Sequence, residues 1–306
     1  MKWNKLLAVV LCGTLLAGCG TAAPEGSGSA VEAPEETGLA VHEIAASEFA
    51  AFGGCASLEL PGRMAAAAAT SSTYDATEAF TSFSGSSEQA WQRLLDGELE
   101  VVLAYEPSAE QKEQLEAQGI ALQPVGTDAL VFLAGSDPEQ DAAVDLIQLD
   151  ILHAYQAGES AAWEGYAAAA GADSRALFAD LLGTDGTGVT VTEGDDTLTA
   201  ACPHTNGTLC YTTYLSLQQN GQPEHTVLAA VDGSIPGAQT LQKPGASEQA
   251  YPLQVTYYVA CRADLDENDP AMLFYRWLSA EDGVDWLYEA TIGGAGTEAV
   301  PAEDAP

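Results

Sequence analysis

The stretch that decides the fold is WQRLLDGELEVVLAYEPSAEQKEQLEAQGIALQPVGTDALVFL, residues 91–133. It opens with apolar residues at helical spacing, which Ser86 or Ser87 can cap and Gly97 can end. The apolar run at residues 99–105 follows, and it is typical of a strand buried on both faces of a parallel sheet. The first half of the stretch therefore predicts a helix and then a buried strand.

The second half of the stretch repeats this alternation. Ser108 and Gln111 form a capping box for a helix that ends at Gly119. Residues 120–122 and 129–134 are two further apolar runs, and we interpret each as a strand. Strands that alternate with helices of about ten residues predict an α/β sheet with right-handed crossovers.

Two polar segments are candidates for a ligand site. An α/β sheet binds small ligands beyond the carboxyl ends of its strands, so the turn at residues 105–108, which carries Glu106, is the first. Thr70, Ser71 and Ser72 precede a predicted helical segment and are the second. Hydroxyls at a helix start can cap the backbone amides or, with those amides, hold an anion. Plain capping is the simpler interpretation, and anion binding is the alternative.

The charge and size of the chain limit the classes of function that it can have. It has 306 residues, enough for two domains, and 47% of them are hydrophobic. With 9 basic and 45 acidic residues, its formal charge is -36. Nucleic acids and anionic membrane surfaces require clustered Lys and Arg, so this balance disfavours both as partners. A protein outside the cell, in a medium whose salt screens self-repulsion, is the favoured interpretation.

The ends of the chain predict an exported, anchored protein. Residues 1–19 have a basic start and an apolar segment too short to span a membrane, and they end in Leu-Ala-Gly-Cys19, which resembles the lipobox of bacterial lipoproteins. The resemblance implies lipidation of Cys19 and attachment to the extracytoplasmic face of the cell membrane; an ordinary secretory signal is the alternative. Residues 20–47 have the composition of a disordered tether, and residues 293–306 that of a disordered acidic tail.

Four cysteines remain after the predicted signal and lipidation site. An even number in an exported chain favours disulfides, and four cysteines allow three pairings. Cys202 with Cys210 is the favoured pair because turn-forming residues lie between them, which leaves Cys55 with Cys261. His204 raises zinc as an alternative, but the spacing fits no standard zinc pattern, so a disulfide is favoured and no metal is predicted.

The order of motifs resembles the phosphate-binding proteins of bacterial ABC transporters. The segments that carry the resemblance are EPS…GIALQPVGTDALVFLAGSDP, LIQLDILHAYQAGESAAWEGY, GADSRALFADLL, NGTLCYTTYLSL, VLAAVDGSIP, YPLQVTYYVACRAD and FYRWLSAEDGVDWL. The resemblance extends over about residues 57–292. The resemblance implies an α/β fold of two lobes, a type 2 periplasmic-binding-protein clamp in which each lobe is a central sheet flanked by helices.

The resemblance also implies where the lobes lie. Lobe 1 would comprise residues 48–133 and 256–292, and lobe 2 residues 134–255. The chain would cross between the lobes near Leu133 and again near Thr256. A ligand would sit in the cleft between the lobes, and closure would be a hinge motion.

The anion site of that family is only partly present here. Its first anion loop falls on residues 68–71, and its second on residues 172–174. Ala168 stands where the family has an arginine, and the aspartate of the first loop is missing. A buried dianion needs charge-assisted donors, each contributing about 1.5–3 kcal/mol, so the scaffold is better supported than phosphate as its ligand. The candidate ligand-binding residues are Thr70, Ser71, Ser72, Glu106, Asp173, Ser174 and Arg175.

Three function classes follow. The first is capture of phosphate or another small oxyanion for an ABC permease, by a monomer that needs no cofactor. The second is a binding module that has lost phosphate affinity and serves another ligand or a protein partner. The third, an exported hydrolase, is disfavoured because none of the four histidines lies in a recognisable nucleophile or metal motif.

Overall fold

The structure, a computed structural model, shows an α/β protein. It describes six segments of the chain, which are residues 44–136, 143–156, 162–184, 189–191, 207–247 and 250–293. The α-helices in them are α1 (Glu59–Thr70), α2 (Ser87–Leu95), α3 (Ala109–Ala117), α4 (Gln148–Tyr155), α5 (Asp173–Leu182), α6 (Tyr214–Asn220), α7 (Pro270–Ser279) and α8 (Glu281–Tyr288). The strands are β1 (Phe52–Gly54), β2 (Thr81–Phe83), β3 (Val101–Tyr105), β4 (Gln123–Gly135), β5 (Asp145–Leu146), β6 (Glu164–Ala167), β7 (Thr190–Val191), β8 (Thr208–Thr213), β9 (Thr226–Leu228), β10 (Ala230–Val231) and β11 (Gln254–Cys261).

Strand β4 is shared by two sheets, and each sheet forms the centre of one lobe. In lobe 1 the strand order is β2-β1-β3-β11-β4; β1, β2 and β3 are parallel, and β11 is antiparallel to both of its neighbours. In lobe 2 the order is β4-β8-β6-β7, with β9 also paired to β4. The arrangement confirms the predicted two-lobed α/β clamp, although the sheet of lobe 1 is mixed rather than all parallel.

The chain changes lobe within β4. Residues from Gln123 to Ala129 of this strand pair with β11, whereas those from Leu130 to Ala134 pair with β8. The switch therefore falls between Ala129 and Leu130, somewhat before the predicted crossing. Both halves of β4 are buried from Val125 onward, so the apolar pattern carries no mark of where the partner strand changes.

The local signals in the deciding stretch are confirmed. Ser86 caps α2 and Ser108 caps α3, and each forms a full capping box with the glutamine three residues later. All five residues of β3 are buried, as predicted for a strand covered on both faces. Trp91 is fully buried, and its indole Nε1 donates a 2.8 Å hydrogen bond to the carbonyl of Tyr105, which joins α2 to the end of β3.

The sequence also predicts strands at residues 57–60 and 209–217. The predicted strands at residues 57–60 and 120–122 are wrong, and the one at residues 209–217 is confirmed only in its first part. Residues 57–60 lie in a 3₁₀ turn and the start of α1, because the alanine-rich run that follows favours a helix and Pro61 is tolerated in its first turn. Residues 120–122 are not a strand, and β4 begins after them. The run 209–217 ends as a strand at Thr213, whose hydroxyl accepts a hydrogen bond from the Ser216 N–H and so starts α6.

The predicted Cys55–Cys261 disulfide is also wrong. Both side chains are buried thiols. Cys55 follows β1 and Cys261 ends β11, and these two strands flank β3 on opposite sides. Two inter-strand spacings separate them by about 10 Å, beyond the roughly 4.4–6.8 Å between Cα atoms that a disulfide spans. Cys210 is disulfide-bonded; Cys202 lies outside the described residues, so their pairing stays a prediction.

Several further predictions fall outside the described residues. They concern the signal segment and Cys19, the tether up to residue 43, and the tail from residue 294 onward. Lipidation of Cys19 therefore stays a prediction. Among the described helices, none combines the length and the apolar composition that crossing a membrane requires.

Candidate functional site

The sheet of lobe 1 directs several helix starts toward one edge. Strands β1, β2 and β3 are parallel, so their carboxyl ends meet at the same side of the sheet. The 3₁₀ turn Ala56–Leu58 follows β1, α2 follows β2, and α3 follows β3. The first backbone N–H groups of a helix have no partner within it and carry a partial positive charge. This edge therefore presents hydrogen-bond donors suited to an acceptor or an anion.

A cleft between the lobes lies at this edge. It contains two adjoining cavities of about 920 Å³ and 510 Å³, and residues from the starts of α2, α3 and α5 line it. Gln254, Val255 and Thr256 from the beginning of β11 form another part of the wall of the larger cavity. The predicted ligand residues that line the larger cavity are Glu106, Asp173 and Arg175.

A direct hydrogen bond closes part of the cleft. Oδ1 of Asp173, the first residue of α5 in lobe 2, accepts a 2.8 Å hydrogen bond from the backbone N–H of Ser87, the first residue of α2 in lobe 1. Both residues are buried. The Ser87 hydroxyl in turn accepts a 3.0 Å hydrogen bond from the Tyr105 N–H, so the end of β3 supports the start of α2. Ser174, next to Asp173, is fully buried.

The charged side chains of the larger cavity are mostly acidic. Four carboxylates and two cationic side chains line it. The cations are Lys112, which forms an ion pair with Glu106, and Arg175, whose Nη1 donates a 3.0 Å hydrogen bond to the Ala168 carbonyl. The excess of carboxylates opposes entry of an anion, whereas the helix starts favour one.

A buried carboxylate lies behind the cleft, where the lobes join. Oδ2 of Asp128 accepts a 2.6 Å hydrogen bond from the Tyr105 hydroxyl, and its Oδ1 accepts from the N–H groups of Ala129 (2.7 Å) and Leu215 (3.0 Å). Tyr105 belongs to lobe 1, and Leu215 lies at the start of α6, which follows a strand of lobe 2. Burial raises the pKa of Asp128 to about 6, although the hydrogen bond from Tyr105 opposes that change. Asp128 thus connects the two lobes without reaching the cleft.

Thr70, Ser71 and Ser72 do not form the helix start that the anion-binding alternative requires. These residues lie at the C-terminal end of α1, not at a helix start, and Ser71 is its left-handed C-cap. The Thr70 hydroxyl donates to the Ala66 carbonyl at 2.8 Å and contacts the Ser72 hydroxyl at 2.9 Å. A helix C-terminus presents carbonyl oxygens and a partial negative charge, so it repels an anion. None of the three residues lines either cavity of the cleft.

Sequence reasoning named some cleft residues only in other roles. The sequence predicts Ser86 or Ser87 as the cap of a helix, but it does not predict the short strand β2 before them. A strand followed by Ser-Gly-Ser-Ser and a capping glutamine is the signal that could have placed α2 at the site. Lys112 follows the capping residue of α3 by one helical turn, a spacing that could have identified it as a residue of this edge.

The described residues contain no group of three or more His, Cys, Asp or Glu side chains that could hold a metal ion.

Comparison with known proteins identifies the fold. No family model and no curated protein matches the chain. Among solved structures, a protein described as a phosphate ABC transporter substrate-binding protein with bound phosphate, from Clostridium perfringens, aligns over 79% of this chain and 98% of its own, with a TM-score of 0.57 and 12% identity. The chain has a type 2 periplasmic-binding-protein fold. An ABC-type phosphate transport receptor from Vibrio cholerae matches over the same shares of both chains, with a TM-score of 0.54 and 11% identity.

A solved structure with this fold is also described with another kind of ligand. A protein described as a periplasmic metal-binding protein aligns over 79% of this chain and 92% of its own, with a TM-score of 0.53 and 15% identity. Fold alone does not determine the ligand, so the function has to be argued from the residues of the cleft.

Proposed function

We propose that this protein is an extracytoplasmic solute-binding protein that captures a small oxyanion, with phosphate as the first candidate, and delivers it to an ABC permease. The observation that carries the proposal is the cleft between two lobes on which the starts of α2, α3 and α5 converge. Helix starts at a cleft of this kind are suited to an oxyanion because several backbone N–H groups can donate to it at once.

The donors for such a ligand come from both lobes. In lobe 1 they are the hydroxyl of Ser86, the N–H of Glu88, which lies in the first turn of α2 outside the capping box, and the ammonium group of Lys112. In lobe 2 they are the first amides of α5 and the guanidinium of Arg175. Each charge-assisted hydrogen bond contributes about 1.5–3 kcal/mol, so four of them at the upper end supply about 12 kcal/mol. After an association cost of about 4 kcal/mol, about 8 kcal/mol is left, which is the free energy of micromolar binding.

The setting of the protein is part of the proposal. A lipid on Cys19 holds the chain at the extracytoplasmic face of the membrane, and the segment after it lets the clamp move between the medium and the permease. The chain acts as a monomer without a cofactor and carries out no catalysis. Closure of the two lobes around the solute is a hinge motion about the strands that join them.

A second candidate rests on the acidic character of the cleft. Four carboxylates line the larger cavity, and one of them, that of Asp173, accepts a hydrogen bond from an N–H group at the start of α2. These features favour a binding module whose ligand is not phosphate but a solute that carries hydrogen-bond donors or positive charge. Its sheet, hinge and lobes would be the same, so only binding measurements separate the two candidates.

Calorimetric titration of the whole chain with inorganic phosphate tests the proposal. We expect binding in the micromolar range, which Lys112→Gln weakens about tenfold by removing a charge-assisted donor. Lys243→Gln is the matched control because Lys243 pairs with Asp285 away from the cavities of the cleft. Absence of heat and of a thermal shift at millimolar phosphate would favour the second candidate.

A further inference from the structure

The fold does not require the hydrogen bond that the Ser87 N–H donates to the Asp173 carboxylate. It joins two residues 86 positions apart in the chain, one at the first residue of α2 and the other at the first residue of α5. An acidic residue at the start of a helix stabilises that helix, which accounts for an aspartate at position 173. That preference does not explain why the carboxylate reaches across the cleft to the start of a different helix.

The carboxylate contacts α2 as an anionic ligand would. The capping box at Ser86 and Gln89 satisfies the N–H groups of those two residues, and the N–H of Ser87 between them is the one that Asp173 accepts from. A negative oxygen atom at 2.8 Å from that N–H, buried at the edge of the cleft, meets the charge and distance requirements of a bound oxyanion.

We propose that Asp173 is an internal ligand, which occupies the anion position at the start of α2 and holds the two lobes together in the absence of solute. An external anion has to displace this carboxylate before it can accept a hydrogen bond from the same N–H group. A tethered competitor acts at a high effective concentration, so it weakens the binding of an external anion without contacting it. The identity of the solute as an anion rests on the proposed function, whereas the internal contact between the lobes does not.

Removal of the carboxylate should therefore open the cleft. In the whole chain, nitroxide labels at Glu116→Cys in α3 and Glu164→Cys in β6 report the distance between the lobes, because both positions are exposed and lie in different lobes. Without solute, we expect Asp173→Ala to lengthen or broaden the distance distribution and Asp173→Asn, which keeps a hydrogen-bond acceptor, to change it less. Asp180→Ala is the matched control: Asp180 is on the same helix and lines the same cavity, but it is exposed.

Titration of the same variants with inorganic phosphate is the second measurement. We expect Asp173→Ala to bind phosphate about tenfold or more tightly than the parent chain and than Asp180→Ala, because the competing carboxylate is gone. Circular dichroism and the thermal unfolding midpoint establish that each variant is folded. If Asp173→Ala remains unfolded, Asp173→Asn carries the comparison, with a smaller change in distance and the same direction of change in affinity.

The outcomes separate this inference from the proposed function. Distance distributions that are the same for Asp173→Ala and Asp180→Ala would overturn the internal ligand, even if the parent chain binds phosphate and the proposed function stands. Lobes that separate only in Asp173→Ala, with no phosphate binding by any variant, would support the internal contact and contradict the oxyanion as solute. Separation together with tighter phosphate binding supports both.

Discussion

Asp128 should make the stability of this protein decrease between about pH 4 and pH 6. Its carboxylate is fully buried where the lobes join, and burial raises its pKa from the usual 3.8 to about 6. At about 1.4 kcal/mol per pKa unit, this difference corresponds to about 3 kcal/mol. The folded state binds the proton more tightly than the unfolded state does. The resulting contribution to stability is complete below about pH 4 and is lost as the pH rises through about 6.

The substitution that tests this reasoning is Asp128→Asn. The amide oxygen can still accept from the Ala129 and Leu215 N–H groups, and the amide nitrogen can donate to the Tyr105 hydroxyl, so the packing is preserved. Because the amide does not titrate, the variant should lack this part of the pH dependence. Relative to the variant, the parent chain should lose about 3 kcal/mol of unfolding free energy between pH 4 and pH 7.

Urea unfolding at several pH values measures the difference. The free energy of unfolding is determined for the parent chain, for Asp128→Asn and for Asp180→Asn, whose carboxylate is exposed and serves as the control. Subtraction of parent from variant at each pH cancels the titration of all other groups. A difference that stays constant from pH 4 to pH 7 would refute the argument that burial dominates the pKa of Asp128.

Two further predictions concern packing and cysteine chemistry. A Cβ atom at Gly126 would lie 1.9 Å from the ring of buried Tyr257, so Gly126→Ala should destabilise the protein by about 1–3 kcal/mol in urea unfolding. Gly237→Ala is the control and should change stability little, because a Cβ atom there has no neighbour within 4 Å. Equal effects of the two substitutions would contradict this account. Cys55 and Cys261 are buried thiols, and burial raises the pKa of Cys261 to about 12. A thiol reagent should therefore label neither cysteine in the native protein. After denaturation without reductant, the reagent should label both. A peptide map without reduction that contains Cys55 linked to Cys261 would contradict the assignment of both residues as thiols.

Elements with strong local signals could be predicted from the sequence. The capped start of α2, the capping box of α3 and the buried strand β3 all agree with it. Each depends on residues within a few positions of one another, because helix caps and apolar periodicity act over one or two turns. The resemblance carried by motif order led to the two-lobed fold, which the structure confirms.

Elements that depend on distant partners could not be predicted. The short strand β1 is stabilised by β2 and β3 on either side, and the partner change within β4 depends on β11 and β8, far away in the chain. The hydroxyls of Thr70 and its neighbours suggested a helix start, but they lie at a helix end. Serine and threonine occur at both ends of helices, so their presence alone does not give the direction of the helix dipole.

The sequence by itself determined the acidic charge. It predicted the export signals, the alternation of helices and strands in residues 91–133, and Asp173 as a candidate ligand-binding residue. Only the tertiary structure decided what that carboxylate contacts. Asp173 and Ser87 are 86 residues apart, and no periodicity or local hydrogen bond relates them. They meet because β4 carries the chain from one sheet into the other, which brings the starts of α2 and α5 to opposite walls of one cleft.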